Sequence, residues 1–119
     1  MHAIGSGIGT AAVQLARLLQ VHIIGTSRTP AKLERLREMG LHEAIDTSGA
    51  SFGTQLSEPV HAIIDSLGAP ALAENLAALH RGGRLVLLGM LQGSQGDIDL
   101  GVVLRQRLEI VGTVMRSRG

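Results

Sequence analysis

The chain has 119 residues, 45% of them hydrophobic and 18% charged, with a formal net charge of +1 and no cysteine. That length suits one domain around a single core, and so small a charge gives no electrostatic footprint for nucleic acid or a membrane surface. The missing thiols exclude disulfides, thiolate nucleophiles and thiolate zinc ligands.

A single aromatic residue, Phe52, leaves a core of Leu, Ile, Val and Ala, which suits a parallel sheet covered by helices. No apolar run reaches membrane-spanning length and no secretory leader is present, so a cytoplasmic location is expected.

The first stretch, with Gly5, Gly7 and Gly9, is a glycine-rich turn opening directly into a helix. Such a turn frees the backbone to bend sharply and presents N–H groups at the positive helix end, where a pyrophosphate can be held. It can equally be a plain tight turn, because a Gly-x-Gly-x-Gly run alone is a weak signal. The strand that should precede it is reduced to Met1, His2 and Ala3. The helix places Ile8, Ala12, Leu15 and Leu19 on one face, with Val13 and Ala16 beside them.

Residues 21–26 read as a short buried strand, Thr29 as an N-cap and Pro30 as the first residue of a second helix that turns Leu33, Leu36 and Met39 inward and ends at Gly40. A strand is expected at 43–46, a weak helix within 47–59 and a strand at 60–66. After Gly68 and Pro70 a helix carries Leu72, Leu76 and Leu79, residues 81–83 form a turn, and 84–89 form a strand. A glycine-rich loop follows over 90–99, then a short helix over 100–105 and a closing strand over 108–114. Strands and helices alternate throughout, the pattern of a doubly wound α/β fold with a parallel sheet. Five histidines, His2, His22, His42, His61 and His80, recur about every twenty residues with no i, i+4 pair, so no metal site is expected.

In dinucleotide-binding domains a carboxylate at the end of the second strand accepts hydrogen bonds from the adenosine ribose and repels a 2′-phosphate. Residues 25–32 contain no acid. Ser27 can donate a hydrogen bond, Arg28 can fork to phosphate oxygens, and Lys32 projects from the first helical turn, which favours NADP over NAD. Both cations also fit an ordinary solvated helix start. Asp65, Ser66 and the stretch from Leu88 through Gly89 and Met90 to Gly93 lie at the carboxyl ends of strands, where ligands bind in open α/β sheets. Asp65 either caps its loop or touches ligand. No Ser-His-Asp, Cys-His or paired-carboxylate arrangement follows from the spacing.

Residues 2–16, the segment from Gly25 to Lys32, Asp65-Ser66 with Gly68, and residues 82–89 together resemble the zinc-independent quinone oxidoreductases of the medium-chain dehydrogenase/reductase superfamily. The tail from Asp99 to Arg118 is similar to the subgroup that includes the stress-inducible NADPH:quinone oxidoreductases. The resemblance covers essentially the whole chain. It implies that residues 1–119 are the Rossmann cofactor domain of a longer enzyme, without its amino-terminal substrate domain and with most of the first strand absent. It further implies that Gly7 and Ile8 contact the pyrophosphate, that Arg28 and Lys32 face the 2′-phosphate, that Ser66 lies near the adenosine, and that Ser6, Gly9 and Ser27 also bind the cofactor. Gly89 and Met90 would flank the nicotinamide, with Gly112 and Thr113 approaching from the last strand. The resemblance also implies NADP as the cofactor and hydride transfer without metal to a quinone or an activated alkene.

The chain departs from that family at Ile4 and Gly5 in the turn and at Thr47, where many members carry a tyrosine. In the strand order 3-2-1-4-5-6 the missing first strand is central, so the second and fourth strands lose a neighbour and the chain alone is not expected to turn over. Reclosure of the sheet, or a strand borrowed through dimerisation, would compensate.

Dimerisation is expected through the apolar last strand, as in the family. Short-chain dehydrogenases need a tyrosine, which this chain lacks, and class I methyltransferases need an acid after the second strand. An enoyl-reductase domain of a polyketide or fatty-acid synthase is the nearest rival. A non-catalytic module that keeps the fold alone is the alternative of a different class.

Overall fold

The computed structural model describes residues 1–2 and 7–113. They form two compact units, Met1–Gln55 and Leu56–Gly119.

The amino-terminal unit contains α1 (Gly7–Leu19), β1 (Ile24–Ser27), α2 (Pro30–Met39) and β2 (Glu43–Asp46), then a single 3-10 turn at Phe52–Thr54. β1 and β2 run parallel, with Ile24 opposite Glu43 and Ser27 opposite Asp46. On the other edge of β1 the Met1 nitrogen donates to the Ile24 carbonyl at 2.6 Å and the Met1 carbonyl accepts from Thr26 N–H at 3.0 Å. That is the pattern of a parallel bridge, so Met1 sits in the position of a neighbouring strand. His2 is buried, its Nδ1 2.8 Å from Thr26 Oγ1 and its ring edge-on to Phe52.

The core of this unit is Val13, Leu33, Leu36 and Leu41, flanked by Met1, Ile23, Met39 and Ala44. Leu15 and Leu19, expected to face inward, are instead 56% and 64% exposed. Among the described residues the sheet of this unit has two strands, and the buried positions of α1 include Val13 and Ala16.

The carboxyl-terminal unit contains β3 (Val60–Asp65), a 3-10 turn at Ala69–Ala71 leading into α3 (Leu72–Ala78), β4 (Leu79–Leu87), α4 (Leu100–Gln106) and β5 (Glu109–Gly112). The sheet order is β3-β4-β5, all parallel, with Leu87 paired to Asp65 on one side and Gly112 on the other. Its core is Ile63, Leu76, Leu79, Leu85 and Leu108, each such burial contributing about 1.5–3 kcal/mol. The expected turn at 81–83 is a bulge inside β4. The register jumps from Val60 opposite Leu79 to Ala62 opposite Arg84, Gly82 has φ 79°, and a Cβ on Gly83 would lie 2.7 Å from the His80 carbonyl.

Three helices end in the same way. After α1, Gln20 N–H donates to the Arg17 carbonyl and Val21 N–H to Ala16; after α2, Gly40 to Arg37 and Leu41 to Leu36; after α4, Arg107 to Leu104 and Leu108 to Val103. These are Schellman closures. Gly40 takes the left-handed position as expected, while Gln20 at φ 58° and Arg107 at φ 53° do so at a cost of roughly 1–2 kcal/mol each. Thr29 precedes Pro30 as expected, but its side chain makes no capping bond, whereas Asp99 caps α4 through Gly101 N–H at 2.9 Å.

Candidate functional site

Gly7, Ile8 and Gly9 form the first turn of α1; Ser6, like Ile4 and Gly5, lies outside the described residues. The first N–H groups of any helix lack intrahelical partners and favour an anion. No acidic residue stands in this first turn to take that place.

At the carboxyl ends of β1 and β2, Ser27 is half-buried and its Oγ accepts from Thr29 N–H at 3.1 Å, while its carbonyl accepts from Thr47 N–H at 3.0 Å. The hydroxyl therefore shapes the turn that carries Arg28 and Lys32. Both cations are exposed, and neither has a partner among the described residues.

The β1–β2 register brings Asp46 opposite Ser27. This acid was not legible from residues 25–32, because it arrives from the neighbouring strand. Its Oδ1 accepts from Ser48 Oγ at 2.6 Å and Ser48 N–H at 2.8 Å. These bonds, the hydroxyl's first, hold the carboxyl below its ordinary value of 3.8. Arg28 and Lys32 follow β1 in the chain and Asp46 ends β2 beside it, so two exposed cations outnumber one carboxylate whose Oδ1 is already satisfied.

In the carboxyl-terminal unit Asp65 is fully buried at the end of β3. Its Oδ1 accepts from Leu67 N–H at 2.9 Å and its Oδ2 from Gly68 N–H at 3.0 Å, so of its two expected roles it takes the capping one. The loops after β3 and β4 are sewn together. Leu88 N–H donates to the Asp65 carbonyl, Leu91 to Ser66, Gln92 to Leu67, and Ala69 to Gly93, at 2.8–2.9 Å.

Gly68 makes this approach possible: at φ 100°, a Cβ there would stand 2.1 Å from the Gly93 carbonyl. Within the seam Gly89 and Met90 keep backbone N–H groups with no partner among the described residues. The nearest atoms to a Cβ on Gly89 belong to Ser66, at 3.6 Å or more, and one on Gly112 would meet nothing within 4 Å among the described residues. Neither glycine has a positive φ. The fold does not need glycine at either place, and that leaves room for a guest.

Ser66, Gly89 and Met90 are brought together by the seam, and Gly112 and Thr113 lie at the end of β5, where Thr113 N–H donates to the Leu87 carbonyl at 3.0 Å. Ser27, Arg28 and Lys32 gather in the other unit.

Sequence spacing also concealed two histidine pairs. His22 and His42 lie with ring centroids 4.8 Å apart, and His61 and His80 stack at 5.0 Å. No group of three or more metal-ligating side chains occurs among the described residues.

A family profile described as zinc-binding dehydrogenase matches residues 7–119. The chain belongs to that family. Among its relatives, an acryloyl-coenzyme A reductase of Sulfurisphaera tokodaii is 29% identical over 89% of this chain and 32% of its own length. The polyketide synthase GfsB of Streptomyces halstedii is 37% identical over 75% of this chain and 2% of its own length. The chain thus spans about a third of the first of these relatives and far less of the second. The solved structure of an Escherichia coli quinone oxidoreductase complexed with NADPH superposes with a TM-score of 0.86, at 24% identity, over 98% of this chain and 37% of its own. That likeness shows a Rossmann-type α/β fold with parallel strands.

Proposed function

We propose that this chain is the NADP(H)-binding part of an oxidoreductase that reduces an electron-poor carbon or quinone, and that it does not turn over alone. The carrying observation is the unpartnered pair Arg28 and Lys32 beside Ser27 at the end of β1. They match a 2′-phosphate in charge and in donor geometry. The open space over Gly89 and Gly112 and the free N–H groups of Gly89 and Met90 fit the flat face and carboxamide of a nicotinamide. Bound NADPH supplies the hydride. Gly7, Ile8 and Gly9 would hold its pyrophosphate against the α1 N-terminus, and Ser6 is proposed as a further cofactor contact. Ser66 and Thr113 would border the cofactor, and the substrate groove would be built by residues outside this chain.

The reduction is proposed to proceed without zinc, as in the zinc-independent quinone oxidoreductases that the sequence resembles. Similarity to an acryloyl-coenzyme A reductase supports an activated alkene in conjugation with a thioester over a quinone. On that reading the chain is an enoyl-reductase piece with the same cofactor cradle. We further propose a cytoplasmic enzyme that dimerises through β5, where Ile110 and Val111 are 38% and 39% exposed. No described helix is long and apolar enough to cross a membrane.

Titration of the 119-residue chain with NADPH and NADH, followed by dihydronicotinamide fluorescence, tests the reading. NADPH is expected to bind at least tenfold tighter, about 1.4 kcal/mol. Equal affinities overturn the assignment of Arg28 and Lys32; a folded chain that binds neither supports the non-catalytic module.

A further inference from the structure

Asp65, a buried acidic residue of the carboxyl-terminal unit, is joined through its carbonyl to the N–H of Leu88, the residue before the proposed nicotinamide wall. Asp65 is 0% exposed, and each of its carboxylate oxygens takes one backbone N–H, from Leu67 and from Gly68. Those two bonds set the path of residues 66–68. The carbonyls of Ser66 and Leu67, aimed by that path, take the N–H groups of Leu91 and Gln92, and Gly93 in turn takes Ala69. The two residues skipped by this seam are Gly89 and Met90.

From this juxtaposition we infer that Asp65 is a positioning residue for the nicotinamide end of the site: it builds the wall, with its two spare donors, before any cofactor arrives. The inference rests on the NADPH reading above and adds to it a residue that touches neither cofactor nor substrate. Only an acceptor on both oxygens satisfies this geometry. An asparagine of the same shape keeps one acceptor and sets an NH2 group against the other backbone N–H, leaving a buried donor unmet.

The test is Asp65→Asn in the full chain, read with two probes. NADPH reports the nicotinamide end through its fluorescence, and adenosine 2′,5′-bisphosphate reports the other end alone. The variant is expected to bind NADPH roughly tenfold more weakly, with a reduced fluorescence enhancement at saturation, and to bind the bisphosphate like the parent. A general loss of structure would lower both affinities together.

If Asp65→Asn matches the parent in NADPH affinity and fluorescence, the positioning role is wrong while the cofactor reading stands. If the parent itself binds no NADPH, the cofactor reading falls first and takes this one with it. Should the variant not fold, hydrogen exchange of the ligand-free parent decides. Leu91 and Gln92 amides must exchange at least about tenfold more slowly than those of Gly89 and Met90; equal rates mean that the wall is not built in advance.

Discussion

Gly89→Ala separates what the fold requires from what a ligand requires. The nearest atoms to a Cβ on Gly89 are the Ser66 carbonyl oxygen, Cβ and Cα, at 3.6, 3.8 and 3.9 Å. These are ordinary van der Waals contacts, and Gly89 is not among the residues of positive φ. Alanine is therefore accommodated without strain, and the reduced freedom of the unfolded chain stabilises by about 0.4–1 kcal/mol, a rise of a few degrees in Tm.

Gly68→Ala is the control. Gly68 sits at φ 100°, ψ −146°, a region that costs other residues roughly 1–3 kcal/mol. Its Cβ would also lie 2.1 Å from the Gly93 carbonyl and 3.1 Å from Met90 Cα, both backbone atoms. Against a typical total stability of about 5–15 kcal/mol, Gly68→Ala should lower Tm sharply while Gly89→Ala does not.

Binding then runs the other way to stability. The methyl group placed on Gly89 enters the space assigned to the dihydronicotinamide, and overpacking of about 1–3 kcal/mol weakens NADPH roughly five- to hundredfold. Circular-dichroism melts and fluorescence titrations on the same samples give both numbers. Unaltered NADPH affinity in a Gly89→Ala chain that melts no lower than its parent would refute the assignment of this space to the cofactor.

Removing both cations with Arg28→Ala and Lys32→Ala should weaken NADPH roughly ten- to thirtyfold and leave NADH unchanged, as measured by isothermal titration; a parallel loss for both nucleotides would exclude a 2′-phosphate contact. The Ser48 bonds lower the Asp46 carboxyl pKa in the folded chain, so their stabilising effect is present above 3.8 and is lost as the pH falls through the depressed folded value. Ser48→Ala should move the Asp46 carbon-13 titration upward towards 3.8, and an unmoved curve would show that Ser48 does not hold it. Ile110→Lys on the exposed β5 edge should convert dimer to monomer in size-exclusion light scattering; an unchanged mass places the contact elsewhere.

The alternation of strands and helices was legible from periodicity, because apolar positions such as Leu33 and Leu36, or Ile63 and Leu85, lie buried where the pattern puts them. What escaped was set by contacts distant in the chain. Gln20 and Arg107 occupy left-handed caps that sequence assigns to glycine, since the Schellman bonds outweigh the strain. Asp46 reaches Ser27 only through strand register. The histidine pairs arise because about twenty residues make up one strand and its crossover. Each repeat returns the chain to the same end of a parallel sheet, so His22 meets His42 and His61 meets His80. Leu15 and Leu19 were misplaced for the converse reason: their spacing is helical, but spacing does not say how many strands lie underneath.

Among the described residues the strands form a pair, β1-β2, and a triplet, β3-β4-β5, and Met1 adds one parallel bridge to β1. The division also sorts the chemistry. The residues proposed to choose the phosphorylated nucleotide, Ser27, Arg28 and Lys32, belong to Met1–Gln55, and those proposed for the nicotinamide, Gly89, Met90, Gly112 and Thr113, belong to Leu56–Gly119. Each end of the cofactor therefore has its own probe and its own set of substitutions. An Arg28→Ala chain that lost the bisphosphate but kept a nicotinamide signal at high NADPH, and an Asp65→Asn chain with the opposite profile, would assign the two ends to different side chains in a way that a single affinity cannot.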